Sequence, residues 1–88
     1  MRRVRVLTAP GCHLCEAALE VINGVRREVS FVLEIVDISR DPDLEARYRA
    51  EIPVVEIDGL AAFTYFVPKE AFRDLVSGET SRSGSGPF

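Results

Sequence analysis

Apolar and polar positions alternate from Arg3 to Thr8, with Val4 and Val6 on one side and Arg3, Arg5 and Leu7 on the other. A period of two predicts a strand, and the proline–glycine pair in Ala9-Pro10-Gly11 ends it. From His13 to Arg27 the period lengthens: Leu14, Ala18, Leu19, Val21, Ile22 and Val25 recur at steps of three and four, which predicts a helix with one apolar face. Glu16 and Glu20 sit early on its solvent side and Arg26 and Arg27 near its end, as the helix dipole favours.

Ser30 to Ile38 is almost unbroken in apolar residues, interrupted only by Glu34 and Asp37. Such a run predicts a strand covered on both faces, as in a parallel sheet. Asp41 reads as an N-cap and Pro42 as the first turn of a short helix, with Leu44 and Tyr48 one turn apart on its buried face. Pro53 to Ile57 predicts a third strand, Asp58-Gly59 a tight hairpin, and Leu60 to Phe66 a fourth strand. Pro68 opens a last helix with Phe72, Leu75 and Val76 on one side, and Gly78 closes it.

The predicted order is β-α-β-α-β-β-α. Helical connections between the first three strands imply parallel, right-handed crossovers, and the last two strands form an antiparallel hairpin. The expected architecture is an α/β fold: a mixed four-stranded sheet with helices on both faces. Residues 1–77 form the domain, and residues 78–88, rich in Ser and Gly and without periodicity, are expected to be a flexible tail.

Composition narrows the function classes. With 88 residues there is one domain, and a hydrophobic share of 47% suits a packed core rather than a disordered chain. A formal charge of −3 argues against a nucleic-acid partner, which needs a basic face. No apolar run approaches the ~20 residues of a membrane span. The basic start, Met1-Arg2-Arg3, precedes too short an apolar stretch for a secretory signal. A cytoplasmic monomer is expected, with no nucleic-acid or membrane partner. In that reducing compartment the 2 cysteines are more naturally a catalytic or metal-binding pair than a structural bridge.

They lie in Pro10-Gly11-Cys12-His13-Leu14-Cys15-Glu16, where the first strand meets the first helix. Cys12 falls at the helix N-terminus, whose free N–H groups and dipole favour a thiolate. Cys15 lies one turn on, within reach of a disulfide. The pair can therefore attack a substrate disulfide with one thiol and resolve the mixed disulfide with the other. Two plainer uses stand beside this: a pair of soft-metal ligands, or two small buried residues. His13, if protonated, would favour the Cys12 thiolate; otherwise it is an exposed first-turn residue. Ile52-Pro53-Val54 opens a strand with a residue that cannot donate a ladder bond. The local reading is a trans proline, since cis is the minority form. A cis bond would leave main-chain groups of Ile52 or Val54 free for a substrate. Arg47 and Arg49 read as solvated helix residues, with a charge role near the site as the alternative. Tyr65 and Phe66 are candidates to line a groove, and Tyr48 to pack in the core.

Taken together, Cys12-His13-Leu14-Cys15 after a first strand, Ile52-Pro53 before a third and the Asp58-Gly59 hairpin resemble the glutaredoxin-like proteins of the thioredoxin superfamily. The likeness is greatest to a short glutaredoxin-like group in which Pro-Gly-Cys-x-Leu-Cys precedes the helix. It covers roughly residues 3 to 77. The resemblance implies a thioredoxin fold and a thiol–disulfide oxidoreductase with Cys12 as nucleophile and Cys15 as resolving thiol. It also implies that Pro53 is a cis-proline facing the cysteines, with Ile52 and Val54 as substrate-binding neighbours. The implied partner is a disulfide-bearing protein or a low-molecular-weight thiol. No bound cofactor is expected, and glutathione is a candidate co-substrate. This chain lacks the Cys-Pro-Tyr-Cys of typical glutaredoxins, and Phe63-Thr64-Tyr65-Phe66-Val67-Pro68 stands where they carry a glycine pair that helps hold glutathione. The alternatives are a soft-metal carrier, a dimer sharing an iron–sulfur cluster, and a redox-inert binding module.

Overall fold

The computed structural model describes residues 2–77. The tail expected at residues 78–88, and the helix stop at Gly78, lie outside the described residues. Four strands, β1 (Arg3–Thr8), β2 (Val32–Asp37), β3 (Val54–Ile57) and β4 (Leu60–Thr64), alternate with three helices, α1 (His13–Arg26), α2 (Pro42–Tyr48) and α3 (Lys69–Ser77). A single 3-10 turn, Ile38–Arg40, links β2 to α2. The order β-α-β-α-β-β-α is the one the periodicity predicts.

The sheet runs β2-β1-β3-β4. β1 and β2 are parallel, while β3 is antiparallel to both β1 and β4. The expected second parallel crossover is therefore absent. Packing of the connection explains this: Leu44 and Tyr48 of α2, and Ile52 after it, pack against Leu7, Ile38 and Val54, where β1 and β2 end and β3 begins. Held there, the chain enters β3 at the end where β2 left the sheet and runs back. This reversal brings Ile52-Pro53 to the same end of the sheet as Cys12.

β2 also departs from expectation. It is an edge strand, and Val32 and Ile35 are about half exposed; only the flanking Phe31 and Ile38 are buried. Its apolar run reflects one covered face and two anchored ends, not burial on both sides.

The alternation in β1 sorts the core into two layers. Val4 and Val6 join Val55 and Ile57 of β3 under α1 and α3, which contribute Ala18, Ile22, Val25, Phe72 and Val76. Phe72 is the centre of this layer, with its ring edge-on to Phe31 at 5.6 Å and tilted against Phe63 at 6.5 Å. Leu75, expected on the same face, is instead partly exposed. On the other face Leu7, Ile38 and Val54 form a smaller cluster capped by Leu44 and Tyr48 of α2. Helices thus lie on both faces, but α2 covers only the Cys12 end of the second. Beyond it that face is a charged surface of Arg3, Arg5, Glu34, Glu56 and Asp58.

Local chemistry sets the boundaries. Asp58 and Gly59 take φ of 53° and 87°, the left-handed pair a two-residue hairpin needs. The Asp58 carboxylate accepts the Arg3 N–H at 3.0 Å and pairs with the Arg2 guanidinium at 2.6 Å. Those bonds, the Arg2 side chain foremost, hold its pKa below the ordinary carboxylate value. β4 stops at Thr64, two residues earlier than predicted, because Tyr65 takes φ of 66° and turns the chain out of the sheet.

Candidate functional site

β1 delivers the chain to the turn Ala9–Gly11, where Gly11 adopts φ of 78°. The next residue, Cys12, is extended (φ −89°, ψ 105°) and forms the N-cap of α1. Its Sγ accepts the Cys15 N–H at 3.2 Å and its carbonyl accepts the Glu16 N–H at 3.1 Å. Cys12 thus takes the place that serine or aspartate occupies in ordinary caps. A negative sulfur there meets the free N–H groups of the first turn and the positive end of the dipole.

Cys12 and Cys15 are joined as a disulfide, their Cα atoms 5.2 Å apart. The two sulfurs are not equivalent in access. Cys12 is partly exposed, while Cys15 lies on the inner face of α1 with 2% of its surface accessible. His13 points into solvent, its side chain 95% exposed and its Nδ1 3.8 Å from Glu16 Oε1.

Cys12 forms part of the wall of a groove of ≈ 470 Å³ together with Pro10, Gly11, Ser39, Glu45, Arg49 and Ile52. The groove therefore carries one cation and one anion, Glu45 from the middle of α2 and Arg49 from its C-cap. Ser39 is fixed by Asp37, whose carboxylate accepts both its hydroxyl (2.6 Å) and its N–H (2.9 Å). These two bonds lower the Asp37 pKa. Arg47, by contrast, lies over the Tyr48 ring at 5.2 Å from its centroid.

The Ile52–Pro53 peptide is cis, against the local reading and as the family resemblance implies. Pro53 is fully buried. The main-chain groups around it are less open than expected. The Ile52 N–H donates to the Tyr48 carbonyl at 3.1 Å, and the Pro53 carbonyl accepts the Tyr65 N–H at 2.9 Å. Val54 faces Leu7 in the same ladder phase in which the Asp58 N–H donates to the Arg3 carbonyl, so its N–H lies within the sheet. The Ile52 carbonyl alone has no hydrogen-bond partner among the described residues. Of the predicted site residues, Cys12, Cys15, His13 and Ile52 meet at one end of the molecule, and Pro53 and Val54 back that end from within the core. Ser39 joins them from the 3-10 turn and Glu45 and Arg49 through the placement of α2; of these, only Arg49 carried an advance signal, its charge just before Ile52-Pro53.

The model of the glutaredoxin-like domain family (DUF836) matches residues 3–77. Among solved structures, the chain is similar to protein Ne2328 from Nitrosomonas europaea, with a TM-score of 0.73 and 24% identity over 86% of this chain and 92% of that one. Protein XcR50 from X. campestris gives a TM-score of 0.70 and 22% identity over 85% and 96% of the two chains. A chloroplastic thioredoxin z gives 0.72 and 20% over 94% and 80%. These likenesses establish the thioredoxin fold. No curated protein matches the sequence.

Proposed function

The chain belongs to the glutaredoxin-like domain family, and from that premise we propose that it is a thiol–disulfide oxidoreductase working through Cys12 and Cys15. The observation that carries this reading is the asymmetry of the pair: an accessible sulfur at a helix N-cap, and a shielded one a single turn away. In the reduced protein the Cys12 thiolate attacks one sulfur of a substrate disulfide. A Cys12–substrate disulfide forms and the other substrate sulfur leaves as a thiolate, which takes a proton from water. Cys15 then loses its proton and attacks the Cys12 sulfur. The Cys12–Cys15 disulfide closes and the second substrate thiol is released. Two electrons have passed to the substrate. Two equivalents of a low-molecular-weight thiol, or one dithiol reductase, return them.

Glutathione is the candidate donor, and Arg49 and Glu45 support it: a cation and an anion beside Cys12 match a tripeptide bearing carboxylates and an ammonium group. Ile52 offers its carbonyl to a donor on the substrate, Pro53 and Val54 support that segment, and His13 modulates the Cys12 thiolate. The reading places the protein in a reducing cytoplasm.

The test is a redox titration of the pair in graded glutathione buffers, with mass spectrometry identifying each species. A reversible intramolecular disulfide with a potential between roughly −270 and −180 mV is expected. Cys15→Ser should accumulate a mixed disulfide on Cys12, and Cys12→Ser should form none. A pair that never closes, or that binds copper(I) or zinc tightly and does not exchange, would move the function to metal delivery.

A further inference from the structure

The turn after β4 is built against the preference of its central residue. Tyr65 has φ of 66°, and the Phe66 N–H donates across it to the Thr64 carbonyl at 2.6 Å. This is a γ-turn with positive φ at its centre, the rare and strained form, and a bulky residue there is an outlier. Two bonds hold it in place. The Tyr65 N–H reaches the Pro53 carbonyl at 2.9 Å, and the Tyr65 hydroxyl donates to the Ala50 carbonyl at 2.8 Å. The turn is clamped on both sides of Ile52, the residue that shares a groove with Cys12.

The result of this strain is an outward phenylalanine. Phe66 is 70% exposed, and Leu14, which stands between the two cysteines in the chain, is 53% exposed. With Tyr65, Ala17, Val21 and Val67 they line a hollow of ≈ 60 Å³ whose walls are almost entirely carbon. Large apolar side chains gathered in one exposed patch mark a surface that another molecule covers.

We infer that Leu14, Tyr65 and Phe66 form a recognition platform for a large apolar side chain next to the reacting cysteine of a polypeptide substrate. The inference rests on the oxidoreductase reading above. One occupant must place a sulfur at Cys12 and an apolar group across Leu14, two residues on. Two residues of a helix rise ~3 Å and each residue of an extended chain advances ~3.3 Å, so a side chain one or two positions from the substrate cysteine matches the Cys12-to-Leu14 step in scale. The hollow admits the tip of a leucine or phenylalanine. Glutathione has no large apolar side chain to put there, so the groove with Arg49 and Glu45 is what it meets. Two surfaces thus adjoin the cysteine motif: the groove with Arg49 and Glu45 that Cys12 itself lines, and the apolar platform that begins at Leu14.

The test uses the reduced full chain and two peptides supplied as their symmetrical disulfides, Ser-Phe-Cys-Ser and Ser-Ser-Cys-Ser. The rate of release of free peptide thiol is followed by rapid quench and mass spectrometry. The phenylalanine peptide is expected to react about tenfold faster, the usual scale of apolar discrimination in a surface pocket. Phe66→Ser and Leu14→Ser should each bring the two rates within about twofold of each other. Leu60→Ser, an equally exposed apolar position on the distant hairpin, should leave the preference intact. Equal rates in the unaltered protein, or a preference that survives Phe66→Ser, would overturn the platform while leaving the oxidoreductase in place. If neither peptide disulfide is reduced, the oxidoreductase reading falls and the platform falls with it.

Discussion

Asp41→Ala is expected to loosen the groove beside Cys12 without touching it. The N-terminus of α2 depends on this one residue. Pro42 has no N–H to satisfy, Asp43 and Leu44 donate to the Asp41 carboxylate at 3.0 and 3.3 Å, and Glu45 donates to the Asp41 carbonyl at 2.9 Å. Alanine keeps the last bond and deletes two. Losing a cap usually costs about 0.5–2 kcal/mol, and two orphaned donors place this case in the upper half. A helix of 7 residues has little intrinsic stability to absorb that loss. An increment of about 1–2 kcal/mol raises the open population of α2 by about 5–30-fold. The Ile52 N–H rests on the Tyr48 carbonyl at the far end of the same helix. Native-state hydrogen exchange should therefore show the amides of Arg49 and Ile52 exchanging faster by that factor, while those of α1 change only as much as the global stability. Asp41→Asn, which caps equally well, should recover most of the protection. Unchanged exchange at Ile52 in a protein that has lost stability would refute the link between the cap and the groove. Unchanged stability would refute the cap itself.

Three further outcomes are expected. Asp58 has a lowered pKa, so its contribution is complete above the ordinary carboxylate pKa and is lost as pH falls through the lower folded value. Measured by urea midpoints, the advantage of the natural protein over Asp58→Asn should hold near pH 6 and shrink below about pH 4; a constant gap would contradict it. His13→Ala should raise the pH midpoint of Cys12 alkylation and lower the reduction potential. An unmoved midpoint in His13→Ala removes the residue from the chemistry. Phe72→Ala should cost about 3–5 kcal/mol in chemical denaturation, since a fully buried ring with two aromatic neighbours is lost; a loss under about 1.5 kcal/mol would mean the two-layer core is misassigned.

What could be read in advance was whatever local chemistry decides. Asp41-Pro42 announces a helix start, Asp58-Gly59 a hairpin, and Val4 and Val6 a buried face, because each depends on neighbours a few residues away. The cysteine pair was legible for the same reason: its spacing and its place at a helix start are local facts. The direction of β3 was not, because it depends on where Leu44, Tyr48 and Ile52 pack before the strand begins rather than on any residue within β3. Exposure of Ile35 in β2 also escaped, since an apolar residue in a strand does not reveal whether the strand is central or at the edge. The Ile52 N–H was expected to be open because the return of α2 to meet it involves Tyr48, four residues back and in another element. Tyr65 was hardest: nothing about a tyrosine suggests positive φ, and only its bonds to Pro53 and Ala50 make that conformation hold.

The sheet order β2-β1-β3-β4 carries a consequence for assembly during synthesis. β1 is an interior strand made first, and its two partners arrive late: Val32 to Asp37 supply one side and Val54 to Ile57 the other. Until about residue 57 has left the ribosome, one edge of β1 has no partner, and Val55 and Ile57 are missing from the layer under α1. High sequence separation between pairing strands slows folding. Throughout that interval the inner face of α1, which carries Cys15 beside Ala18, Ile22 and Val25, lacks the layer beneath it that the complete domain supplies. A nascent chain thus exposes this position more than the complete domain does, and the order of the strands along the sequence sets how long that exposure lasts.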